Sequence, residues 1–312
     1  MINFCSTTTK PHTKKYQSAS RRQFSMAMVA TLLAAPLVGL AAPTTPAQAN
    51  ATPAELGRYS ASSTATVDHT AWTTLLQRYV KASSDGINRV DYAGFKSSGH
   101  KTLKSYIKTL EAVDPRTLGR NEQFAFWANL YNAKTIDVVL NNYPIDSIRK
   151  ISINEGLFGY LKKSVGAAGP WKAKIMTVAG TKLSLDNIEH DIMRPVFKDP
   201  RVHYAVNCAS YGCPNLARTA LTGATLDQQL DEGAVAFVNH PRGFSVTNGK
   251  VTASSIYQWF QKDFGGTAQG VLAHANKYAS PELKAKLKGV SEISSFAYDW
   301  SLNDTSKQGP QG

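Results

Sequence analysis

The sequence predicts a single helix-rich α+β domain around an antiparallel sheet, and three observations support this. Apolar residues recur at helical spacing in several segments, and two tight turns are each flanked by a pair of short extended segments, as in a β-hairpin. No internal repeat or mid-chain linker divides the chain. Of the 312 residues, 42% are hydrophobic and 18% are charged, which excludes a fully disordered, collagen-like or purely coiled-coil protein. We expect the domain to span residues 67–304 and residues 305–312 to form a disordered tail.

Residues 1–49 are typical of an export signal. A basic segment precedes an apolar run over residues 26–42, which is too short and interrupted for a bilayer-spanning helix of ~20 residues. Adjacent arginines at 21 and 22, followed by Phe24, resemble the twin-arginine signal, and the small residues at 47–49 predict cleavage after Ala49. The alternative is an ordinary secretory signal with two arginines adjacent by chance. In both cases we expect an exported bacterial protein, periplasmic or secreted, with a flexible Ala/Ser/Thr-rich leader over residues 50–66.

The formal net charge of +13 arises partly from this signal. Residues 1–49 contain five basic side chains and no acidic one, so the remaining chain has 30 basic and 22 acidic side chains, a net charge of +8. Such a moderate excess does not by itself indicate nucleic-acid binding. We expect a small-molecule or peptide substrate, no nucleic-acid partner and no membrane span in the mature protein. Nothing in the sequence indicates an oligomeric state.

Apolar periodicity and capping residues predict the helices. The first contains Trp72 and Leu76, and the second is centred on Ile107. A third helix is predicted over residues 121–141, with Glu122 in the first turn, where a carboxylate is favourable. Further helices are predicted around residues 188–196, over 226–239 after a capping box of Thr225 and Gln228, after Ser254 or Ser255, and from Ser280-Pro281.

Alternation and turn residues predict the strands. Asn248-Gly249 predicts a hairpin between residues 244–247 and 250–253, and Gly180 predicts another between 175–178 and 182–185. Residues 89–95 and 293–300 are predicted to be extended. Residues 202–208 are predicted to form a strand, and Cys213-Pro214 is predicted to begin a helix because proline is favoured at the first helical position.

Cys208 and Cys213 are the two cysteines that remain once the signal, with Cys5, is removed. A thiolate nucleophile needs a base for its proton and a positive potential that lowers its pKa. At a helix start, Cys213 would face unpaired amides that lower its pKa and could also bind an oxyanion. His203 is the nearest histidine, so these residues predict a cysteine-dependent site.

The predicted strand over residues 202–208 favours Cys213 over Cys208 as the nucleophile. Alternation places His203 and Asn207 on one face and Cys208 on the other. His203 and Cys208 would also lie about 16 Å apart in an extended chain, so His203 reaches Cys213 only if the connecting loop folds back. Both cysteines remain candidates.

Three alternatives to a catalytic site fit the same residues. The two cysteines could form a structural disulfide in an oxidising compartment, and His203 could be an ordinary buried histidine. A zinc site is weaker, because two thiols and one histidine lack the usual second pair of ligands. We therefore predict no metal.

Polar residues on the helix over residues 121–141 form a second candidate group. Glu122, Asn129 and Asn132 follow one helix face, and buried asparagines need hydrogen-bond partners. They either bind neighbouring backbone or line a polar pocket, and Glu122 could orient a histidine. We include Asn129, Asn132, Asn207 and His190 as candidate substrate-binding residues.

Four motifs in order resemble one known family. They are residues 126–133 (FWANLYNA), 185–190 (LDNIEH), 203–208 with Cys213-Pro214, and 298–300 (YDW). Over nearly all of residues 72–304 the chain is similar to the bacterial-envelope and plant family catalogued as domain of unknown function number five hundred and forty-seven. The resemblance implies a cysteine hydrolase of papain or transglutaminase type, with Glu122, His203 and either Cys208 or Cys213 as the triad. Some plant members keep only the cysteine that matches Cys208.

Two functions therefore remain open. The first is an exported cysteine-nucleophile amide hydrolase or acyl transferase of unknown substrate, in which His203 shuttles the proton and Glu122 holds the imidazole. The second is a non-catalytic cell-envelope binding module with a Cys208–Cys213 disulfide. A metal loaded before twin-arginine export is a weaker third alternative. The sequence contains no phosphate loop, no dinucleotide-binding glycine pattern and no His-Glu-x-x-His motif, so no cofactor is predicted.

Overall fold

The computed structural model describes residues 51–153 and 169–306, in which helices dominate. The helices are α1 Pro53–Leu56, α2 Thr70–Tyr79, α3 Tyr92–Ser98, α4 His100–Glu111, α5 Arg120–Asn142, α6 Arg194–Phe197, α7 Val202–Ala205, α8 Leu226–Val238, α9 Ser255–Trp259, α10 Ala268–Tyr278 and α11 Pro281–Leu287. The strands are β1 Val80–Ala82, β2 Asn88–Val90, β3 Met176–Val178, β4 Thr181–Leu183, β5 Phe244–Thr247, β6 Lys250–Ser254 and β7 Ser295–Ala297. A π-helix, Asn187–Met193, leads directly into α6. The predicted export signal lies outside the described residues and stays a prediction.

Helix α5 is the centre of the fold, and it confirms the helix predicted over residues 121–141. Trp127 and Leu130 are fully inaccessible to solvent, and apolar residues occupy nearly every side of the helix. A helix that is apolar all round is buried in a core. Helices α3, α4 and α8 and the π-helix all pack against it.

The α+β class is confirmed, with small separate sheets rather than one large sheet. Strands β1 and β2 pair antiparallel, as do β3 and β4, and β5–β6–β7 forms a third sheet. Both predicted hairpins are confirmed: β3 pairs with β4, and β5 pairs with β6, where Val246 is opposite Val251. Strand β7 adds to β6 in parallel, so the predicted extended segment near the C-terminus closes a mixed sheet.

Two apolar clusters meet at helix α7. The larger surrounds α5 and includes Val202, and the smaller, between α8, α9 and α10, includes Tyr204 and Tyr257. Helix α7 therefore contributes to both clusters, and the loop that follows it, residues 206–214, begins at their junction. This loop contains both cysteines.

The structure corrects the predicted elements around the cysteines. Residues 202–208, predicted as a strand, form helix α7 followed by extended chain, and no helix begins at Cys213. The loop is held instead by the C-terminal segment: the backbone nitrogens of Tyr211 and Gly212 donate to the carbonyls of Ser301 and Asp299, at 2.7 and 2.8 Å. Tertiary hydrogen bonds of this kind override a local alternation pattern.

Two further local predictions differ from the structure. The capping box at Thr225 is wrong, because its hydroxyl donates to the Gln229 side chain at 2.9 Å and caps no backbone amide of α8. The segment predicted as a flexible leader contains α1, and Leu56 of this helix is fully buried in the larger cluster. Thr52 and Glu55 form a capping box there. In the described part of the chain, no helix has the length and apolarity needed to cross a membrane.

A half-buried histidine on α10 makes stability depend on pH. The His274 Nε2 atom lies 2.8 Å from the Tyr204 hydroxyl, and burial, with a smaller effect from Lys277, lowers the pKa of His274 to about 4. The unfolded chain binds a proton at His274 below a pH of about 6.5, whereas the folded chain binds it only below about 4. The free energy of unfolding should therefore fall as the pH drops through that range, by about 2 kcal/mol once the partial exposure of the ring is allowed for. Urea unfolding at pH 7 and pH 4 should show a smaller decrease for His274→Gln than for the parent. His190→Gln is the control and should keep the parental decrease; equal decreases in all three proteins would contradict this prediction.

Candidate active site

The two cysteines lie side by side as free thiols. The Tyr298 hydroxyl is 3.1 Å from both sulfur atoms, and the Ser210 hydroxyl is 3.3 Å from both. The backbone nitrogen of Cys208 also donates to the sulfur of Cys213, at 3.1 Å. Cys213 is 2% exposed, whereas Cys208 is only half-buried. The disulfide of the alternative prediction is therefore not present in the structure.

Two asparagines fix the cysteine loop. Asn132 on α5 donates to the carbonyl of Ala205 and accepts from the backbone nitrogen of Asn207, both at 2.8 Å. The Asn207 side chain donates to the carbonyl of Pro214 at 2.7 Å and accepts from the backbone nitrogen of Ala209. Each amide thus bonds to the backbone, so both residues, predicted as substrate contacts, position the thiols.

The backbone of the loop is tightly constrained on its C-terminal side. Ala209 has a φ of +60°, in the left-handed region that side chains other than glycine rarely adopt. At Gly212 a Cβ atom would lie 2.9 Å from the backbone nitrogen of Asp299, closer than real Cβ contacts come. The loop therefore reaches its conformation only by close approach to the C-terminal segment.

The two thiols share their protons unequally. Burial by itself would raise the pKa of Cys213, but hydrogen bonds from Cys208, Ser210 and Tyr298 outweigh burial and hold this pKa below its ordinary value. The hydrogen bond with Cys213, together with burial, raises the pKa of Cys208. Burial and the neighbouring sulfurs raise the pKa of Tyr298, so its hydroxyl stays protonated and donates. The pair therefore favours one thiolate, at Cys213, beside one thiol.

A half-buried arginine contacts the cysteine loop. Arg242 donates to the carbonyl of Tyr211 at 3.0 Å and to the side chain of Asn215 at 2.6 Å, and burial lowers its pKa to about 10. The negative charge of Cys213 favours the charged form of Arg242. By reciprocity, the guanidinium stabilises the Cys213 thiolate.

His203 is held between two carboxylates. Its Nε2 atom is 2.8 Å from Asp263 and its Nδ1 atom is 3.8 Å from Glu189, while the ring stacks on Phe260 at 4.2 Å. Asp263 also accepts from Arg194 at 2.6 Å. Burial opposes ionisation of Asp263, but the hydrogen bonds from His203 and Arg194 hold its pKa well below the usual range. This is a histidine–carboxylate pair of the kind that orients a catalytic imidazole.

One pocket of about 500 Å³ joins the thiols and the histidine. Cys208, Cys213 and His203 all line it, although no hydrogen bond joins the His203 ring to either sulfur within the described residues. Its other walls are largely aromatic, and its lining includes Tyr131, Trp171, Trp259, Phe260, Tyr298 and Trp300. A concave, mostly apolar pocket with a few convergent polar groups is the usual form of a small-molecule site.

Glu122 lies in a different part of the structure from His203. Its carboxylate accepts from the backbone nitrogens of Val67 and Gly223, both at 2.8 Å. The acids that contact His203 are Asp263 and Glu189 instead. Glu122 therefore ties two loops to the start of α5.

The remaining predicted residues divide between two cavities. Asn129 bonds both backbone groups of Leu221, and with Asn132 it lines a second cavity of about 310 Å³ beside α8. His190 lines the cysteine pocket, where its ring lies 3.9 Å from Asp186 and 3.3 Å from Arg194. Of the four predicted substrate-binding residues, all of which the structure describes, only His190 lines the thiol pocket.

Sequence reasoning missed five residues that shape this site: Glu189, Ser210, Arg242, Asp263 and Tyr298. Glu189 stands beside His190 in a family motif, and Tyr298 begins the last motif, so both carried a signal. Asp263 and Arg242 lie in segments without any such motif. No group of three or more histidine, cysteine or acidic side chains in the described residues is placed to hold a metal.

The fold and the site define an α+β domain with a thiol pair and a histidine–carboxylate pair on one pocket. Residues 115–238 match the family model described as "Protein of unknown function, DUF547". The resemblance seen in the motifs is thereby confirmed for the region that holds α5, His203 and both cysteines, whereas the motif at residues 298–300 lies outside the match. No curated protein and no solved structure matches the chain.

Proposed function

We propose that the protein is a cysteine-nucleophile acyl-transfer enzyme, an amide hydrolase or acyl transferase, with Cys208 as the nucleophile. One observation carries the proposal: a thiol beside a stabilised thiolate shares a pocket with an oriented histidine. Cys213 is nearly inaccessible, so the half-buried Cys208 is the sulfur that a substrate carbonyl reaches. The periplasmic or secreted location belongs to this proposal and rests on residues 1–49.

The acylation step moves two protons. The Cys208 sulfur attacks the carbonyl carbon and passes its proton to the Cys213 thiolate. As the carbon–nitrogen bond breaks, the His203 imidazolium, held by Asp263, donates a proton to the leaving amine. The products are a thioester on Cys208, a Cys213 thiol and a neutral His203.

The deacylation step restores the starting state. Water attacks the thioester carbonyl and gives one proton to His203, which becomes the imidazolium again. The Cys208 sulfur leaves and takes the proton from Cys213, which returns to the thiolate. The other hydrogen of the water leaves with the carboxylic acid, so one amide and one water give one acid and one amine.

Alkylation by iodoacetamide tests the thiol pair. The pair carries one negative charge, and Cys208 becomes the reacting thiolate when its proton passes to Cys213. We therefore expect the native protein at pH 7 to react faster than a free thiol, with the adduct on Cys208 by peptide mass spectrometry. Cys213→Ser removes the proton acceptor and should slow the reaction at least about tenfold, whereas Cys208→Ser should remove the fast phase. Reaction of both thiols no faster than a free thiol would overturn the proposal and favour a non-catalytic binding module.

An activated ester tests the histidine. With p-nitrophenyl acetate we expect an acetyl adduct on Cys208 that hydrolyses in the parent protein. His203→Gln should slow this hydrolysis about 100-fold, a typical contribution of general acid–base catalysis. The control is His100→Gln, because His100 pairs with Asp137 outside the pocket. Equal hydrolysis rates in the parent and His203→Gln would remove His203 from the mechanism.

A further inference from the structure

One wall of the thiol pocket consists of aromatic rings in contact, of which Trp259 and Trp300 are stacked. The Trp300 ring lies 5.7 Å from that of Trp171, 5.6 Å from that of Trp259 and 4.7 Å from that of Tyr298. Trp259 is 46% exposed, which is unusual for so large an apolar side chain. Because Tyr298 also touches both sulfurs, the aromatic surface runs without a break from the thiols to Trp300.

Two cations border this aromatic wall. The Arg149 guanidinium lies over the Trp300 ring at 5.2 Å, and Lys172 follows Trp171 directly in the chain. Arg149 and Lys172 both line the pocket. Neither forms an ion pair with a carboxylate of the described residues, whereas Arg194 and Arg201 are each paired. The cationic heads of Arg149 and Lys172 are thus available to an anionic ligand.

The carboxylates that line the pocket each have an imidazole neighbour. Glu189 lies 3.8 Å from His203, and Asp186 lies 3.9 Å from His190. The backbone nitrogen of Asp186 donates to the carbonyl of Trp171, so this acid is near the aromatic wall, but its carboxylate forms no ion pair with Arg149 or Lys172. Among the described residues, no carboxylate therefore neutralises the two cations.

We propose that the site takes acyl compounds with a flat apolar body and a free carboxylate. This inference rests on the proposed function, since it places the reacting carbonyl at Cys208. The body stacks on Trp259 and Trp300, for which planar groups are favoured. The carboxylate binds Arg149 and Lys172, because a guanidinium matches a carboxylate in two parallel hydrogen bonds.

Binding to an unreactive protein tests the inference separately from the chemistry. The probe is hippurate, which joins an aromatic ring, an amide and a carboxylate, and its matched neutral partner is hippuramide. In the Cys208→Ser protein, followed by tryptophan fluorescence and calorimetry, we expect hippurate to bind at least tenfold more tightly than hippuramide. Trp300→Ala should weaken both ligands, since it removes the stacking surface.

The cations are tested by their effect on this preference. Arg149→Gln with Lys172→Gln should reduce the hippurate preference to below about twofold and leave hippuramide binding unchanged. Lys150→Gln is the control, because Lys150 neighbours Arg149 in the chain but pairs with Asp146 at 2.8 Å. Equal affinity for the two ligands, or no binding of hippurate, would overturn the inference. Fast alkylation of Cys208 alongside either result would leave the proposed function standing.

Discussion

Replacing Glu122 by alanine is expected to lower the free energy of unfolding by about 3 kcal/mol and to leave the alkylation rate of Cys208 unchanged. The carboxylate is 8% exposed and accepts two backbone hydrogen bonds, from Val67 and Gly223. Its removal leaves two partly buried donors without these partners, and each hydrogen bond to a charged group contributes about 1.5–3 kcal/mol. Chemical denaturation and the iodoacetamide assay measure the two effects.

Glu232→Ala is the control for this prediction. Glu232 is exposed on α8 and, among the described residues, its side chain accepts only from the Gln228 side chain, so its loss should change the free energy of unfolding by less than about 0.5 kcal/mol. The opposite outcome, in which Glu122→Ala keeps its stability but loses fast alkylation, would return Glu122 to the triad that the family resemblance implies.

Replacing Tyr298 by phenylalanine is expected to slow alkylation of Cys208 about tenfold at pH 7. The hydroxyl lies 3.1 Å from each sulfur, and its hydrogen bond helps to hold the pKa of Cys213 below its ordinary value. Without it the Cys213 thiolate forms at higher pH, so the pH profile of the alkylation rate should shift to higher pH. A loss of folding would instead expose both thiols, and Cys208 and Cys213 would then both be alkylated with the pH profile of a free thiol.

Tyr211→Phe provides the matched control on the same loop. The Tyr211 ring faces the Arg89 guanidinium, 5.4 Å away, and among the described residues its hydroxyl forms no hydrogen bond with either thiol. We expect its rate profile to coincide with that of the parent. If Tyr298→Phe also coincided with the parent, hydrogen bonding by Tyr298 would not account for the low pKa of Cys213.

The parts of the fold that local chemistry determines were predictable. Helix α5 has an apolar pattern long enough to exclude a strand, and the turn at Asn248-Gly249 requires a left-handed backbone that these residues accept, with φ of +50° and +73°. Ser280-Pro281 likewise marks the start of α11, and the Ser280 hydroxyl caps it.

The site was less predictable because its contacts join distant segments. The alternation over residues 202–208 predicted the wrong element, since backbone hydrogen bonds to the carbonyls of Asp299 and Ser301 decide the shape of the loop that follows. The acid that bonds His203 is Asp263, sixty residues later, whereas the family resemblance implied Glu122 in that role. Pairings at such separation leave no periodic signal in the sequence.

The attachment of the cysteine loop also sets the order in which the parts of the site are synthesised. Tyr298 follows Cys213 by 85 residues, yet with Asp299 and Ser301 it holds the sulfurs and the loop backbone in place. A nascent chain that has completed α5 and both cysteines still lacks this support. We therefore expect a polypeptide that ends before Tyr298 to carry thiols of ordinary reactivity.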